Sequence, residues 1–429
     1  MCSIAGVSSN ANADDAAACV YGVEDRILSV YDVPMKTTLY SLLVLITLIT
    51  AALGMAQTSG LGVFTPNPSR FEIRRGVNLS HWLSQCFGWS PRDTFITEKD
   101  VQFIASLGYD HVRIPIDEQE MWTADGEPAQ QAFSYLTRCL DWCIKHKLKA
   151  IVELHILRSH YFNAPHEGGK NVLWTSPAAQ ENFLRLWKML SEKLETYPAD
   201  MLAYEILNEP IADDHEDWNR LLDRAVAAIR SREPRRVLII GSNMWQTPGT
   251  FPYLKVPKKD KNLILSVHTY APLVFTHYKA SWTPLKSYDG SVRYPGPPIT
   301  DEDLKRYDDR NDPAVAPLLL DARVNYDQQR LQEVLDPAIR RAKELNLQLY
   351  CGEFGCLPSV AREDRLRYYS DLVYVLEANG IAWCNWDYKG DFGIVSYDRD
   401  KMKSLTPDFG LIGALLKTSR STIPTLPKD

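Results

Sequence analysis

Positive charge is not in excess in this chain. Its 429 residues carry 48 Lys and Arg against 54 Asp and Glu, a formal net charge of −6. No phosphate-tracking surface is implied, and nucleic acid is not an expected partner. Cysteine is sparse, at 8 residues. Cys2 and Cys19 precede the first regular pattern. Cys86, Cys139, Cys143, Cys351, Cys356 and Cys384 are spaced neither as a small disulfide framework nor as a zinc site, so buried free thiols are expected for most of them. No Gly-rich phosphate loop follows the first strand-like run, where Asn78-Leu79-Ser80-His81-Trp82 stands instead. A doubly wound dinucleotide-binding sheet is therefore disfavoured. A His-x-His pair on an early strand is missing too. His155, His160 and His166 cluster in sequence, but without such a pair or a compact carboxylate set neither a metal nor another cofactor is expected. His160 and His166, on a Gly/Pro-containing loop, are expected to shape a cleft. No Ser/Pro linker or accessory module is visible.

What is present begins with an ordinary globular composition, 45% hydrophobic and 24% charged, with ample material for a core. Residues 1–34 show no hydrophobic period. Met35-Lys36-Thr37-Thr38 then leads into an apolar run from Leu39 to Leu53 and the small-residue exit Gly54-Met55-Ala56-Gln57. A basic start, a run of roughly 15 apolar residues and a small-residue exit describe a secretory signal peptide. The run falls short of the ~20 residues of a comfortable membrane span. An uncleaved signal anchor is the alternative, and with no Cys after the run a lipid anchor is not indicated. We expect residues 1–34 to be an unstructured, over-extended start, residues 35–56 a signal peptide, and residues 57–429 the folded domain. The product would be secreted, extracellular or periplasmic, a monomer with no stable membrane association after cleavage.

After Gln57, short β-branched runs alternate with longer amphipathic ones. Strands are expected at 75–79, 111–115, 149–155, 202–207, 236–241, 263–268, 347–351 and 381–386. Between the first two, Thr97 to Leu107 reads as a helix, with Thr97 as N-cap, Asp100 at the capping-box position and Gly108 as the stop. Helices are also expected from Phe133 to His146, from Ala178 to Tyr197, from Trp218 to Ser231, and around Phe409 to Lys417. Eight strand–helix alternations predict an α/β fold, a single (β/α)8 TIM barrel. The stretch from Ala271 to Tyr326, with Trp282, Tyr294 and several prolines, is too long for a simple connection. It is expected to be an extended loop after the sixth strand, covering the site.

Polar residues recur at the C-terminal ends of these strands, where active sites on such a barrel lie: Arg113, His155, Asn208-Glu209, His268 with Tyr270, Glu353, and Trp386. Each alone has a structural explanation. Arg113 could be an ion-pair partner, His155 a core histidine, Trp386 core packing and Glu353 a helix N-cap. Six strand ends of compatible chemistry together point to a site. Glycoside hydrolysis needs two carboxyl groups flanking one acetal bond, one to protonate the leaving oxygen and one to attack or to activate water. Glu209 and Glu353 fall at the ends of the fourth and seventh strands, on roughly opposing sides of the mouth.

Leu207-Asn208-Glu209-Pro210, Val267-His268-Thr269-Tyr270, Gly352-Glu353-Phe354-Gly355 and Asn385-Trp386 resemble the strand-end motifs of glycoside hydrolase family 5, the cellulase family. The resemblance extends to Arg113 and His155 and runs from about Phe71 to the last helix. It implies a retaining mechanism with Glu209 as acid/base and Glu353 as nucleophile. Arg113 and Tyr270 would hold Glu353 ionised, and His268 would lie beside Glu209. Asn208 would bond the sugar 2-hydroxyl, His155 would bond a sugar hydroxyl or steady Arg113, and Trp386 would offer a flat face to the reacting sugar. Trp82, Trp245 and Trp282 are candidates for further sugar subsites. For such a mechanism the carboxyls should stand roughly 5–5.5 Å apart, whereas about 9 Å would require inversion.

Residues 57–429 would then be a hydrolase domain acting on a β-linked polysaccharide or oligosaccharide, by default an endo-β-1,4-glucanase. β-Mannanase, xyloglucanase and exo-β-1,3-glucanase or β-glucosidase activities share the same catalytic set. A non-catalytic carbohydrate-binding barrel is the remote alternative, against which the intact carboxylate pair argues.

Overall fold

The apolar runs become eight strands in the computed structural model: β1 Arg75–Asn78, β2 His111–Ile116, β3 Lys149–Leu154, β4 Leu202–Glu205, β5 Val237–Gly241, β6 Leu263–His268, β7 Gln348–Glu353 and β8 Ala382–Asn385. They pair in chain order, each parallel to the next, and β1 closes on β8. The structure describes residues 67–424 except 87, 89, 165–170, 258, 311–314, 316–317, 320 and 418–422. The expected leader 1–34, the signal segment 35–56 and His166 lie outside the described residues.

Period-two alternation along the strands sorts side chains between two environments. Ile151, Ala203, Ile239, Ile264, Tyr350 and Cys384 form one buried cluster with Phe71 and Ile73, filling the barrel interior. A second, larger cluster collects the opposite strand faces and the helices packed on them. Two residues further along the inward face, apolar gives way to polar. Ile151 is followed by Glu153 and His155, and Ala203 by Glu205. The top of the barrel is therefore a buried polar layer standing on an apolar floor.

Around the barrel, helix Glu98–Ser106 starts with the expected capping box, Thr97 and Asp100 each bonding the other's backbone. Helices Gln130–Lys145, Pro177–Leu194, His215–Arg230 and Phe409–Leu416 cover the other expected stretches to within a few residues. Helices Gln328–Leu345 and Arg362–Ala378 complete the outer ring on either side of β7. The alternation has one gap: β5 is followed by the 3₁₀ turn Pro248–Tyr253, not an α-helix. Pro248 and Pro252 remove backbone donors there.

The stretch expected as a loop after β6 is instead folded. Leu273–Thr276 and Asp301–Arg310 are helical, with 3₁₀ turns at Pro284–Ser287 and Asp321–Arg323. Val274, Leu285, Tyr288, Ile299, Leu304, Tyr307 and neighbours give it a small core of its own. A hairpin of β9 Val395–Asp398 and β10 Lys403–Pro407 follows β8. All six described cysteines are free, and all but Cys86 are buried. Among the described residues, no helix is long and apolar enough to cross a membrane.

Candidate active site

Arg113 is the hub of the polar layer. Placed inward by β2 and fully buried, its guanidinium donates through Nε to Glu205 Oε2 (2.6 Å) and through Nη1 to Asn78 Oδ1 (3.0 Å) and Glu353 Oε1 (2.7 Å). Nη2 donates to Asn208 Oδ1 (2.9 Å), and Glu153 Oε1 lies 3.4 Å from Nη1. A planar fork with five N–H groups suits this task, since one side chain can meet four fixed acceptors at once. One buried cation thus faces three buried carboxylates.

Glu353 reaches this hub through an irregularity. On β7, Gly352 holds the inward position after Tyr350; a Cβ there would stand 2.7 Å from Ser266 Oγ. The register with β6 slips between Val267 and His268, so that His268 pairs with Glu353. The slip turns Glu353 into the mouth, where Tyr270 donates to its second oxygen (3.0 Å). Glu209 arrives by a different device. It follows β4 with φ of 44°, a left-handed conformation uncommon for Glu. Its N–H donates to Gln246 Oε1 (2.8 Å), and its Oε1 lies 3.0 Å from His268 Nδ1. Ligand atoms of Glu209, Glu353 and His268 all fall within 4.8 Å of one another.

Burial decides the protonation states. Glu209, 8 % exposed, has its pKa raised well above the usual carboxylate value, first by burial and then by repulsion from Glu353. Burial also raises Glu353, but the Arg113 charge and the Tyr270 hydrogen bond oppose it, so Glu209 is the better proton holder of the two. Burial keeps His268 neutral, aided by the nearby Arg113 charge, and pushes His155 down to about 4. A protonated and an ionised carboxyl facing one space can deliver a proton to one side of a bond and attack from the other.

His155 touches Arg113 only through an intermediary, its Nδ1 lying 2.7 Å from Glu153 Oε1. Its ring stacks on Trp386 at 5.4 Å and 7°. Trp386 is buried beside Ala280, Leu357 and Phe392, with Tyr270 and Trp282 packed against that cluster. Trp245 is half-buried and donates from its indole to Phe162 O (3.1 Å). His160 is buried edge-on to Trp174, and burial lowers its pKa to about 3.

Trp82 departs from the expected subsite role. It is 0 % exposed within the main core, and its indole N–H donates to Arg92 O (2.8 Å). Neither ring face is open to a sugar. Trp82→Ala should therefore cost about 3–5 kcal/mol of stability, measured by urea unfolding. A stability loss under 1 kcal/mol with a changed oligosaccharide-length preference would contradict the core assignment.

Three residues escaped the sequence analysis: Glu153, Glu205 and Gln246. A single charge within Ile151-Val152-Glu153-Leu154 or Ala203-Tyr204-Glu205-Ile206 is the signal that could have found the first two, because a charge on an inward strand position demands a partner. Gln246, in a loop, offers no such signal. As for metals, Glu209, His268 and Glu353 are the only potential ligand trio among the described residues. Both Glu353 oxygens already have donors, and Arg113 lies 2.7 Å from one of them, which repels a second cation.

Comparison with known proteins places this geometry in context. The model of the family described as Cellulase (glycosyl hydrolase family 5) matches residues 70–391. Endoglucanase C of Acetivibrio thermocellus is 32% identical over 333 residues, covering 76% of this chain and 94% of the relative. Cellodextrinase A of Ruminococcus flavefaciens is 29% identical, covering 72% and 84%. Among solved structures, the endoglucanase Cel5A from Thermotoga maritima superposes with a TM-score of 0.63 at 26% identity, covering 82% of this chain and 99% of that one.

Proposed function

The chain belongs to glycosyl hydrolase family 5, the cellulase family, and from that premise we propose that Glu209 is its proton donor and Glu353 its nucleophile. The enzyme is an O-glycosyl hydrolase acting on a β-glucan-type polysaccharide, an endo-β-1,4-glucanase. One observation carries the assignment of roles. Two opposed carboxyls approach within 4.8 Å, and only Glu353 is held by a permanent cation. Their closeness favours double displacement, since inversion needs roughly 6.5–9.5 Å to admit a water between carboxyl and sugar.

In the first step Glu353 attacks the anomeric carbon while Glu209 gives its proton to the departing glycosidic oxygen. The glycosyl–Glu353 ester forms as the C–O bond to the leaving sugar breaks. Glu209, now a carboxylate, takes a proton from water, which attacks the same carbon from the other face and releases Glu353. Asn208 is oriented for its part, since Oδ1 is engaged by Arg113 and Nδ2 has no partner among the described residues. That leaves an N–H free for a sugar hydroxyl. His155 Nε2 is likewise unpartnered among the described residues, consistent with a second sugar contact. Trp386 flanks the reacting sugar, and Trp245 and Trp282 extend the binding surface. Replacing Trp245 with alanine is expected to weaken longer oligosaccharides more than short ones, and equal weakening at every length would remove it from the subsites. The apolar segment from Leu39 to Leu53 supports export of the enzyme.

Two measurements test this reading. The protein should lower carboxymethylcellulose viscosity faster than it releases reducing ends, and prefer that polymer and barley β-glucan to mannan, xyloglucan and laminarin. Inactivity on all five would defeat it. The profile of kcat/KM against pH should be bell-shaped. Glu353 must be ionised, so the rate falls as pH drops. Glu209 must be protonated, so the rate falls as pH rises through its raised pKa. Glu209→Gln should remove the alkaline limb; an unchanged limb would transfer it to another group.

A further inference from the structure

Gln246 stands outside the pair of carboxylates yet connects them. It ends a run of three consecutive left-handed residues, Met244, Trp245 and Gln246, with φ of 59°, 59° and 52°. That reversal after β5 sends the side chain back into the barrel, where it is 0 % exposed. It lies over Gly241; a Cβ at Gly241 would stand 2.3 Å from Gln246 Cγ and Nε2.

There the amide makes two short bonds of opposite sense, with Ser266 O a longer second acceptor for Nε2 (3.5 Å). Oε1 accepts from the Glu209 N–H (2.8 Å), and Nε2 donates to Glu205 Oε1 (3.0 Å). The Gln246 backbone carbonyl also accepts from the His268 N–H (3.0 Å). Glu205 in turn holds Arg113, which holds Glu353. A continuous chain of hydrogen bonds therefore runs from the Glu209 backbone to the Glu353 carboxylate, and Gln246 is the only amide in it touching Glu209.

We infer that Gln246 is a positioning residue that fixes the left-handed backbone of Glu209, and so the aim of its proton, with Gly241 supplying the space that admits it. The inference rests on Glu209 being the proton donor. A buried N–H without an acceptor is unfavourable, and a left-handed Glu is unfavourable as well. Without Gln246 the segment gains by relaxing toward an ordinary conformation, which swings the carboxyl away from the leaving oxygen. Glutamine suits the position because its uncharged amide accepts from one partner and donates to the other whatever the pH.

The test compares kcat/KM on cellotetraose, whose leaving group needs a proton, with 2,4-dinitrophenyl β-cellobioside, whose leaving group does not. Gln246→Met keeps the volume and removes both bonds. It should lose on the order of 100-fold on cellotetraose, as for a catalytic group displaced by about 1 Å, and less than about 3-fold on the activated substrate. Gly241→Ala, which displaces an unaltered Gln246, should show the same selectivity. Gln246→Glu keeps both bonds only while protonated against Glu205. Its cellotetraose activity should approach wild type in acid and fall toward Gln246→Met as pH rises.

Equal losses on the two substrates, or no loss, would overturn the inference. If Gln246→Met does not fold, as judged by thermal unfolding, Gly241→Ala and Gln246→Glu in acid decide the question. Glu209→Ala separates the two claims. Selectivity in Glu209→Ala but not in the Gln246 variants defeats the positioning role alone. Its absence in Glu209→Ala defeats the proton-donor assignment itself.

Discussion

Glu353→Ala should lower kcat on the order of 100,000-fold, since removing a nucleophile eliminates the covalent route altogether. The cavity left behind opens beside Arg113 and Tyr270, whose donors remain aimed at a vacated anion position. Added azide should enter it, attack the anomeric carbon from the face that Glu353 used, and restore turnover on a dinitrophenyl glycoside. The product expected is the α-glycosyl azide. Glu209→Ala predicts the opposite stereochemistry. There Glu353 still forms the glycosyl ester, and azide arrives from the other face to give the β-glycosyl azide. The Glu209→Ala loss should be about 100- to 10,000-fold on unactivated substrates, the usual worth of a general acid. Product configuration by NMR reads the two roles independently of rate. An α product from Glu209→Ala and a β product from Glu353→Ala would mean that the assignments are reversed.

Arg113→Met should cost about 3–5 kcal/mol of stability, because it leaves buried carboxylates without their counter-charge. Glu205, Glu353 and Glu153 lie 2.6, 2.7 and 3.4 Å from the guanidinium. Methionine fills much of the space, so loss of packing is a minor part of the change. The sign of the pH dependence follows from the burial of Glu153 and Glu353, both raised above the ordinary 4.5. A carboxyl whose folded pKa is raised contributes stability that is intact below its unfolded pKa and lost as pH rises through the folded one. Without Arg113 both pKa values climb further. The deficit of Arg113→Met against wild type should then be small at about pH 4.5 and grow through neutrality. Urea unfolding across that range checks it, and a deficit independent of pH would reduce Arg113 to a packing role.

Both predictions draw on contacts of unequal legibility. Glu209, His268, Tyr270 and Glu353 stand at or just beyond strand ends and Arg113 inside β2, and alternation plus motif made them visible in the sequence. Trp82 shows the limit of that reasoning, since its place just after β1 suits either a cleft wall or a core, and burial chose the core. The connection after β6 misled for a related reason. Its apolar residues have no single helical period, and they become a small core only when short helices and turns fold onto one another. Glu205 and Glu153 were hidden inside runs read as apolar strands.

The sequence by itself determined the barrel and the chemical identity of its mouth. Strand periodicity dictates which residues face inward, and two glutamates at the ends of the fourth and seventh strands must then look across one opening. Tertiary structure supplies the unequal surroundings of the two glutamates on which the proposed division of roles rests. That difference arises where a guanidinium on β2 reaches Glu353 and not Glu209, where the slip at Gly352 turns Glu353 inward, and where a glutamine folded back over Gly241 grips the backbone of Glu209. Electrostatic energy depends on distances of a few ångström between residues far apart in sequence, and only the closed barrel sets those distances.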